Sequence, residues 1–88
     1  MSAALLTLPE HMRESVAGWI ERGEPHPDSM GSFLRAQLSG NTMAAIRAAD
    51  YPNTRALARW EIFLARHAPP ECHGSPARVL DWWRRHHP

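Results

Sequence analysis

The sequence predicts a small all-α protein, and three observations support this prediction. Valine and isoleucine are scarce, and no run of alternating polarity reaches the length of a β-strand. Apolar side chains recur at helical spacing in several segments. Serine, asparagine, proline and glycine stand at the ends of these segments, where helices begin and end. We therefore expect a compact single-domain bundle of about five short helices.

The composition indicates one folded domain spanning residues 1–88. Hydrophobic residues make up 43% of the chain and charged residues 22%, as in globular rather than disordered proteins. The length suits one domain and is too short for two. Neither a signal-peptide pattern nor a stretch of about 18 apolar residues is present, and Cys72 is the only cysteine. These features lead us to expect a cytoplasmic protein without a membrane segment.

The first predicted helix covers residues 9–22. Pro9 fits its first turn, and Gly23 is a typical residue after a helix end. Its apolar stripe is Met12, Val16, Trp19 and Ile20.

The second predicted helix is shorter and begins after a linker that contains Pro25 and Pro27. Either Ser29 or Ser32 is expected to cap it, and Gly40 to end it. Its apolar side is expected to consist of Met30, Phe33, Leu34 and Leu38.

Three further helices complete the predicted bundle. Asn41 is expected to cap the third, which runs to about Ala49, and Asn53 to cap the fourth and longest, at residues 54–67. Ser75 caps the fifth, with Pro76 in its first turn. The expected core face of the fourth helix is Ala56, Leu57, Trp60, Phe63, Leu64 and His67. In the fifth helix the residues expected to face inward are Val79, Leu80 and Trp83, with Trp82 partly exposed.

Charge is unevenly distributed along the chain, although the formal net charge is only +1. Residues 1–30 carry five acids and two arginines, whereas residues 31–88 carry four acids and eight arginines. Helical geometry places Glu10, Glu14 and Glu21 within about 40° of one another, opposite the apolar stripe. A second row, on the fourth predicted helix, consists of Arg55, Arg59 and Arg66, with Ile62 beside them.

Both charged rows are candidate partner-binding surfaces. The acidic stripe, Glu10, Glu14 and Glu21, could meet a basic surface, and each row could equally keep a helix face hydrated. In the rival basic row, Ile62 could be an apolar anchor among arginines. Alternatively, Ile62 could pack under a neighbouring helix.

Recognisable catalytic signatures are absent from the sequence. It contains no nucleophile elbow, phosphate-binding loop, dinucleotide fingerprint or paired-histidine metal helix. One set of zinc-type side chains matches no familiar spacing: His67, Cys72, His73, His86 and His87. We therefore predict a non-enzymatic protein with no cofactor and no metal.

Several short motifs together resemble a family of small helical proteins encoded by bacteriophages and prophages. That family reads approximately LPxHM, PGSFL, RAD-x-x-N, FL, AP, GSP and W in chain order. The corresponding segments here begin at Leu8, Gly31, Ala49, Phe63, Ala68 and Gly74 and end with Trp82. Met30 replaces the expected proline before Gly31. The resemblance implies a small accessory protein that acts in the cytoplasm of an infected bacterium.

The resemblance and the absent catalytic motifs predict an inhibitor of host defence. Such a protein would occlude a surface of a host protein or complex; the leading expectation is a CRISPR–Cas effector, which would make the protein an anti-CRISPR. The first alternative is an arginine-rich DNA- or RNA-binding regulator, in which Trp82 beside Arg84 and Arg85 could stack on bases. The second is an accessory protein for assembly of the phage particle.

Overall fold

The computed structural model describes residues 2–88 and places them in seven α-helices. The helices are α1 (Ser2–Leu5), α2 (Glu10–Arg22), α3 (Ser32–Leu38), α4 (Thr42–Ala48), α5 (Tyr51–Arg55), α6 (Leu57–His67) and α7 (Pro76–His86). Two 3₁₀ turns, Pro27–Ser29 and Pro70–Cys72, lie in the connections. None of residues 2–88 lies in a β-strand, and 73% are helical. The predicted all-α fold is confirmed, and five of the helices have seven residues or more.

The α2 helix ends at Arg22 as predicted and begins one residue later than predicted, since Pro9 is its N-cap rather than part of its first turn. Its last turn is followed by Gly23, whose left-handed backbone (φ 63°) lets its N–H donate to the carbonyl of Trp19 at 3.0 Å. Val16 and Trp19 are fully buried, while Met12 and Ile20 pack against the core at its edge. The amphipathic stripe therefore directs α2 onto the core.

The start of α3 differs from the prediction. Gly31 occupies the N-cap position, and no side chain caps the helix, because Ser32 is already its first residue. Ser29 belongs to the preceding 3₁₀ turn, where His26 is the cap and accepts a hydrogen bond from the backbone N–H of Asp28 at 3.0 Å. The expectation that Ser29 or Ser32 caps this helix was wrong.

The predicted helix over residues 54–67 is divided in two. Asp50, not Asn53, caps α5, since its Oδ1 accepts from the backbone N–H of Asn53 at 2.9 Å. Asn53 is instead buried, and its Oδ1 accepts from the Trp60 indole N–H at 3.0 Å. The chain leaves helical geometry at Ala56 (φ −105°, ψ 8°), and α6 begins at the next residue. The prediction that Asn53 caps a continuous helix was therefore wrong.

Two tryptophans with no exposed surface, Trp19 and Trp60, lie in the core. The Trp19 indole N–H donates to the carbonyl of Cys72 at 2.8 Å, and the carbonyl of Trp19 accepts from the indole N–H of Trp82 at 2.7 Å. These bonds join α2 to the loop before α7 and to α7 itself. Buried indole N–H groups need such acceptors, because an unpaired one costs free energy.

The edges of the core depart from the periodicity-based assignment. His67, which was expected on the core face, is exposed at the end of α6. Trp82 is half-buried, as expected, but Trp83 is half-buried as well rather than inside. Trp83 packs against the ring of His26, with ring centroids 4.5 Å apart. None of the helices in residues 2–88 has the length and apolar character needed to cross a membrane.

Substitution of Ser75 by alanine is expected to destabilise the protein. The Ser75 hydroxyl caps α7 by accepting from the backbone N–H of Arg78 at 3.1 Å. Loss of such a cap lowers the free energy of unfolding by about 1 kcal/mol. Urea denaturation of Ser75→Ala measures this loss. Ser32→Ala is the matched control, expected to change it by less than about 0.5 kcal/mol, because Ser32 caps nothing. Equal losses in both variants would contradict this assignment.

Candidate protein-binding surface

The acidic stripe lies on the outer face of α2. Glu10, Glu14 and Glu21 are all exposed, and Glu21 lies 3.6 Å from Arg22 on the same helix. The large apolar side chains that are exposed in the described residues all lie outside α2. The stripe therefore offers charge without an apolar centre. Exposed charges of this kind are weakened by salt screening and contribute little affinity by themselves.

The basic row has a different character. Arg55 ends α5, whereas Arg59 and Arg66 lie on α6 with Ile62 between them. Ile62 is 49% exposed and does not pack beneath a neighbouring helix. Among the ion pairs of residues 2–88, none includes any of these three arginines. Their charges are therefore not neutralised by an acid of this chain within 4.0 Å.

Small side chains extend the exposed apolar centre along α6. Ala58 and Ala65 are exposed, and helical spacing places them on the same side as Ile62. Together the three form a narrow apolar strip that runs beside Arg59 and Arg66. A helix face with this pattern has no partner within the described part of the chain.

Two further exposed residues border the same surface near α1. Leu6, Arg55 and Arg59 line a groove between the segment that follows α1 and the helices α5 and α6. Leu6 is 67% exposed. Tyr51 is 70% exposed and accepts a hydrogen bond from Arg55 at 3.1 Å. The Nε–H of Arg59 donates a hydrogen bond to the carbonyl of Thr7 at 2.9 Å. This bond holds the guanidinium group beside the segment that follows α1. We call this surface the arginine face; it comprises Leu6, Tyr51, Arg55, Ala58, Arg59, Ile62, Ala65 and Arg66.

Sequence reasoning found only half of the arginine face. The spacing of Ala58, Ile62 and Ala65 was visible in the sequence, but alanines on helices usually carry no functional signal. Leu6 and Tyr51 lie outside both predicted charged rows. Their exposure depends on how α1 and α5 pack, which helical periodicity does not reveal.

The candidate zinc-type side chains do not form a metal site. Residues 2–88 contain no group of three or more histidine, cysteine or acidic side chains arranged to hold a metal ion. Burial, followed by the charge of Glu71, raises the pKa of the Cys72 thiol to about 11, so this side chain is a neutral thiol at neutral pH. Burial also lowers the pKa of His73, which favours its neutral ring.

Trp82, the aromatic residue that the nucleic-acid alternative would use for stacking, packs partly buried against the core. The indole N–H of Trp82 donates to the carbonyl of Trp19. The ring of His86 lies 4.7 Å from that of Trp82, and the Arg85 guanidinium lies 6.0 Å from it. Trp82 therefore contributes to the attachment of α7, whereas Tyr51 is an exposed aromatic residue with the Arg55 guanidinium beside its ring.

Comparison with known proteins identifies no relative of this chain. The chain matches no protein-family model, no curated protein and no solved structure. The arginine face and the acidic stripe are therefore judged on their own geometry and chemistry.

Proposed function

We propose that this protein is a non-enzymatic, phage-derived inhibitor that binds a bacterial host defence protein through its arginine face. A CRISPR–Cas effector is the target to test first. The observation that carries the proposal is the exposed Ile62 between Arg59 and Arg66. The phage setting rests on the motif resemblance, and the binding role rests on this surface.

The chemistry of the arginine face favours a protein partner. Protein interfaces are enriched in arginine and tyrosine, and their strongest contributions come from residues that become fully desolvated near the centre. Ile62 with Ala58 and Ala65 supplies a flat apolar centre, and the arginines supply its rim. The acidic stripe has no such centre. A complementary partner would therefore present an apolar pocket surrounded by acidic side chains.

Replacement of Ile62 by aspartate is expected to abolish most of this binding. An anchor residue contributes about 2 kcal/mol or more, which corresponds to roughly a 30-fold loss of affinity. The control is Ile46→Asp on α4, because Ile46 is similarly exposed (44%) but lies outside the arginine face. Affinity for purified CRISPR–Cas effectors, measured by biolayer interferometry, should change less than about twofold in this control.

Alanine triples separate the two charged surfaces. We expect Arg55→Ala/Arg59→Ala/Arg66→Ala to lose binding and inhibition of target cleavage, and Glu10→Ala/Glu14→Ala/Glu21→Ala to retain both. Circular dichroism checks that each triple is folded. The opposite pattern would assign the interface to the acidic stripe, and retention of binding by both folded triples would refute both assignments.

A second candidate function is binding of single-stranded nucleic acid. It is favoured by Tyr51, whose exposed ring lies 5.6 Å from the Arg55 guanidinium, and by the groove that Arg55 and Arg59 line. Aromatic rings next to arginines can stack on bases while the cations contact phosphates. Three phosphate contacts would give a slope of about −2 for log affinity against log salt. Nuclease-resistant capture of a defence complex distinguishes protein binding from this alternative.

A further inference from the structure

A cleft of about 440 Å³ opens on the side of the molecule formed by α2, α3 and α5. Its floor is apolar and is built by Met12, Met30, Phe33 and Leu34, of which the last three are buried. The volume falls within the range of about 300–1,000 Å³ that is typical of small-molecule sites. The cleft shares none of its lining residues with the arginine face.

One wall of the cleft carries a fixed polar edge. The His11 ring nitrogen Nε2 lies 2.7 Å from Asp50 Oδ2, and Asp50 Oδ1 accepts from the backbone N–H of Asn53 at 2.9 Å. The backbone hydrogen bond from Asn53, followed by the interaction with His11, lowers the pKa of Asp50. Asp50 is therefore a charged, oriented acceptor at neutral pH.

Asn53 supplies a donor on the same wall. It is only 2% exposed, lines the cleft, and accepts from the Trp60 indole N–H through Oδ1. This bond fixes the orientation of the amide and leaves Nδ2 as its remaining polar atom. The Asn53 side chain also helps to lower the pKa of the Asp50 carboxyl, and no buried side-chain nitrogen or oxygen among residues 2–88 is left without a partner. The cleft wall therefore presents the Asn53 amide beside the Asp50 carboxylate, and an apolar cleft with a few convergent polar groups is the usual form of a small-molecule site.

We propose that this cleft binds a small neutral aromatic molecule that carries a hydrogen-bond donor beside an acceptor. The ring rests on the floor of methionine, phenylalanine and leucine side chains. The acceptor of the ligand receives the Asn53 Nδ2 hydrogen, and its donor gives a hydrogen bond to the Asp50 carboxylate. Aryl carboxamides and the edges of nucleobases share this chemistry.

The charge and shape of the cleft restrict the class of ligand. An anion would be repelled by Asp50, and a cation would compete with His11 for a carboxylate that is already paired. A neutral ligand avoids the cost of burying an unpaired charge. Methionine sulfur and the Phe33 ring interact favourably with a flat aromatic ring.

Titration followed by ¹⁵N NMR tests this proposal. Benzamide and adenosine are the polar probes, and toluene is the probe without a polar edge. We expect saturable shifts of the amides around the cleft, with a benzamide dissociation constant on the order of 1 mM, as suits a fragment of this size. Tighter binding of adenosine would identify a nucleobase ligand, whereas binding of benzamide alone would identify a carboxamide. Absence of saturation with both polar probes, or equal binding of toluene, would overturn the proposal.

Two pairs of variants locate the binding. Gly31 lines the cleft, and a Cβ added there meets nothing within 4 Å, so Gly31→Trp can fill the space while Gly31→Ser leaves it open. Asp50→Asn retains an oxygen to cap α5 but replaces the acceptor in the cleft by a donor. We expect Gly31→Trp and Asp50→Asn each to weaken benzamide binding at least tenfold, and Gly31→Ser and Ile62→Asp to leave it unchanged. Unchanged binding in both Gly31→Trp and Asp50→Asn would refute the site, whatever the fate of the arginine face.

Discussion

Replacement of Trp19 by alanine is expected to lower the free energy of unfolding by about 4 kcal/mol. The indole has no exposed surface, donates to the carbonyl of Cys72, and lies beside the backbone carbonyl that accepts from Trp82. Its removal leaves a cavity between α2 and α7 and an unpaired carbonyl. Domains of this size are only marginally stable, so the loss should lower the melting temperature by about 20 °C.

Trp19→Phe separates the two causes of this loss. Phenylalanine retains most of the aromatic volume but cannot donate to the Cys72 carbonyl. We expect this variant to lose about 2 kcal/mol, intermediate between the wild type and Trp19→Ala. Thermal unfolding followed by far-ultraviolet circular dichroism gives both values. A loss below about 1 kcal/mol for Trp19→Ala would show that the indole is not part of a tightly packed core.

Helix ends could be predicted from the sequence where one residue carries an unambiguous local signal. Gly23 adopts the left-handed conformation after α2, Asn41 caps α4 through Ala44, and Ser75 caps α7. Each of these interactions joins residues within four positions, so the signal lies in the neighbouring sequence. The predicted apolar stripe of α2 followed in the same way from local spacing.

The break before α6 could not be predicted in this way. Asp50 and Asn53 are both good capping residues, and the sequence does not say which one caps. The choice is decided by Trp60, whose buried indole N–H needs the Asn53 oxygen as its acceptor. A continuous helix over residues 54–67 satisfies the periodicity equally well, because periodicity does not account for hydrogen-bond partners.

The arginine face and the cleft could likewise be predicted only where their residues share one helix. The angular relation of Arg59, Ile62 and Arg66 was correct because these residues share α6. Arg55 belongs to α5, and its position beside them depends on the turn at Ala56. The polar edge of the cleft, which pairs His11 with Asp50, joins residues that are far apart in sequence. Contacts of this kind follow from tertiary packing, which residue spacing along a helix does not encode.

Replacement of Gly40 by alanine is expected to lower the free energy of unfolding by about 3 kcal/mol or more. Gly40 has φ 76°, a conformation that costs side-chain-bearing residues about 1–2 kcal/mol. In addition, an added Cβ would lie 2.6 Å from the carbonyl oxygen of Gly74. The Gly74 N–H donates to the carbonyl of Leu38 at 2.7 Å, so the clash would push the Gly74 loop away from the end of α3. Because the atom that the Cβ would meet belongs to the backbone of Gly74, no side-chain rotation can relieve the clash.

Gly31→Ala is the matched control for Gly40→Ala. Gly31 has φ −61°, and an added Cβ meets nothing within 4 Å. Alanine reduces the entropy of the unfolded chain but is a poorer N-cap residue than glycine, so we expect Gly31→Ala to change the free energy of unfolding by less than about 1 kcal/mol in either direction. Guanidinium denaturation of the two variants gives the comparison. A loss of only about 1–2 kcal/mol in Gly40→Ala would mean that backbone strain alone acts and that the Gly74 loop moves aside. A larger loss means that the contact between the two loops is rigid and fixes the start of α7.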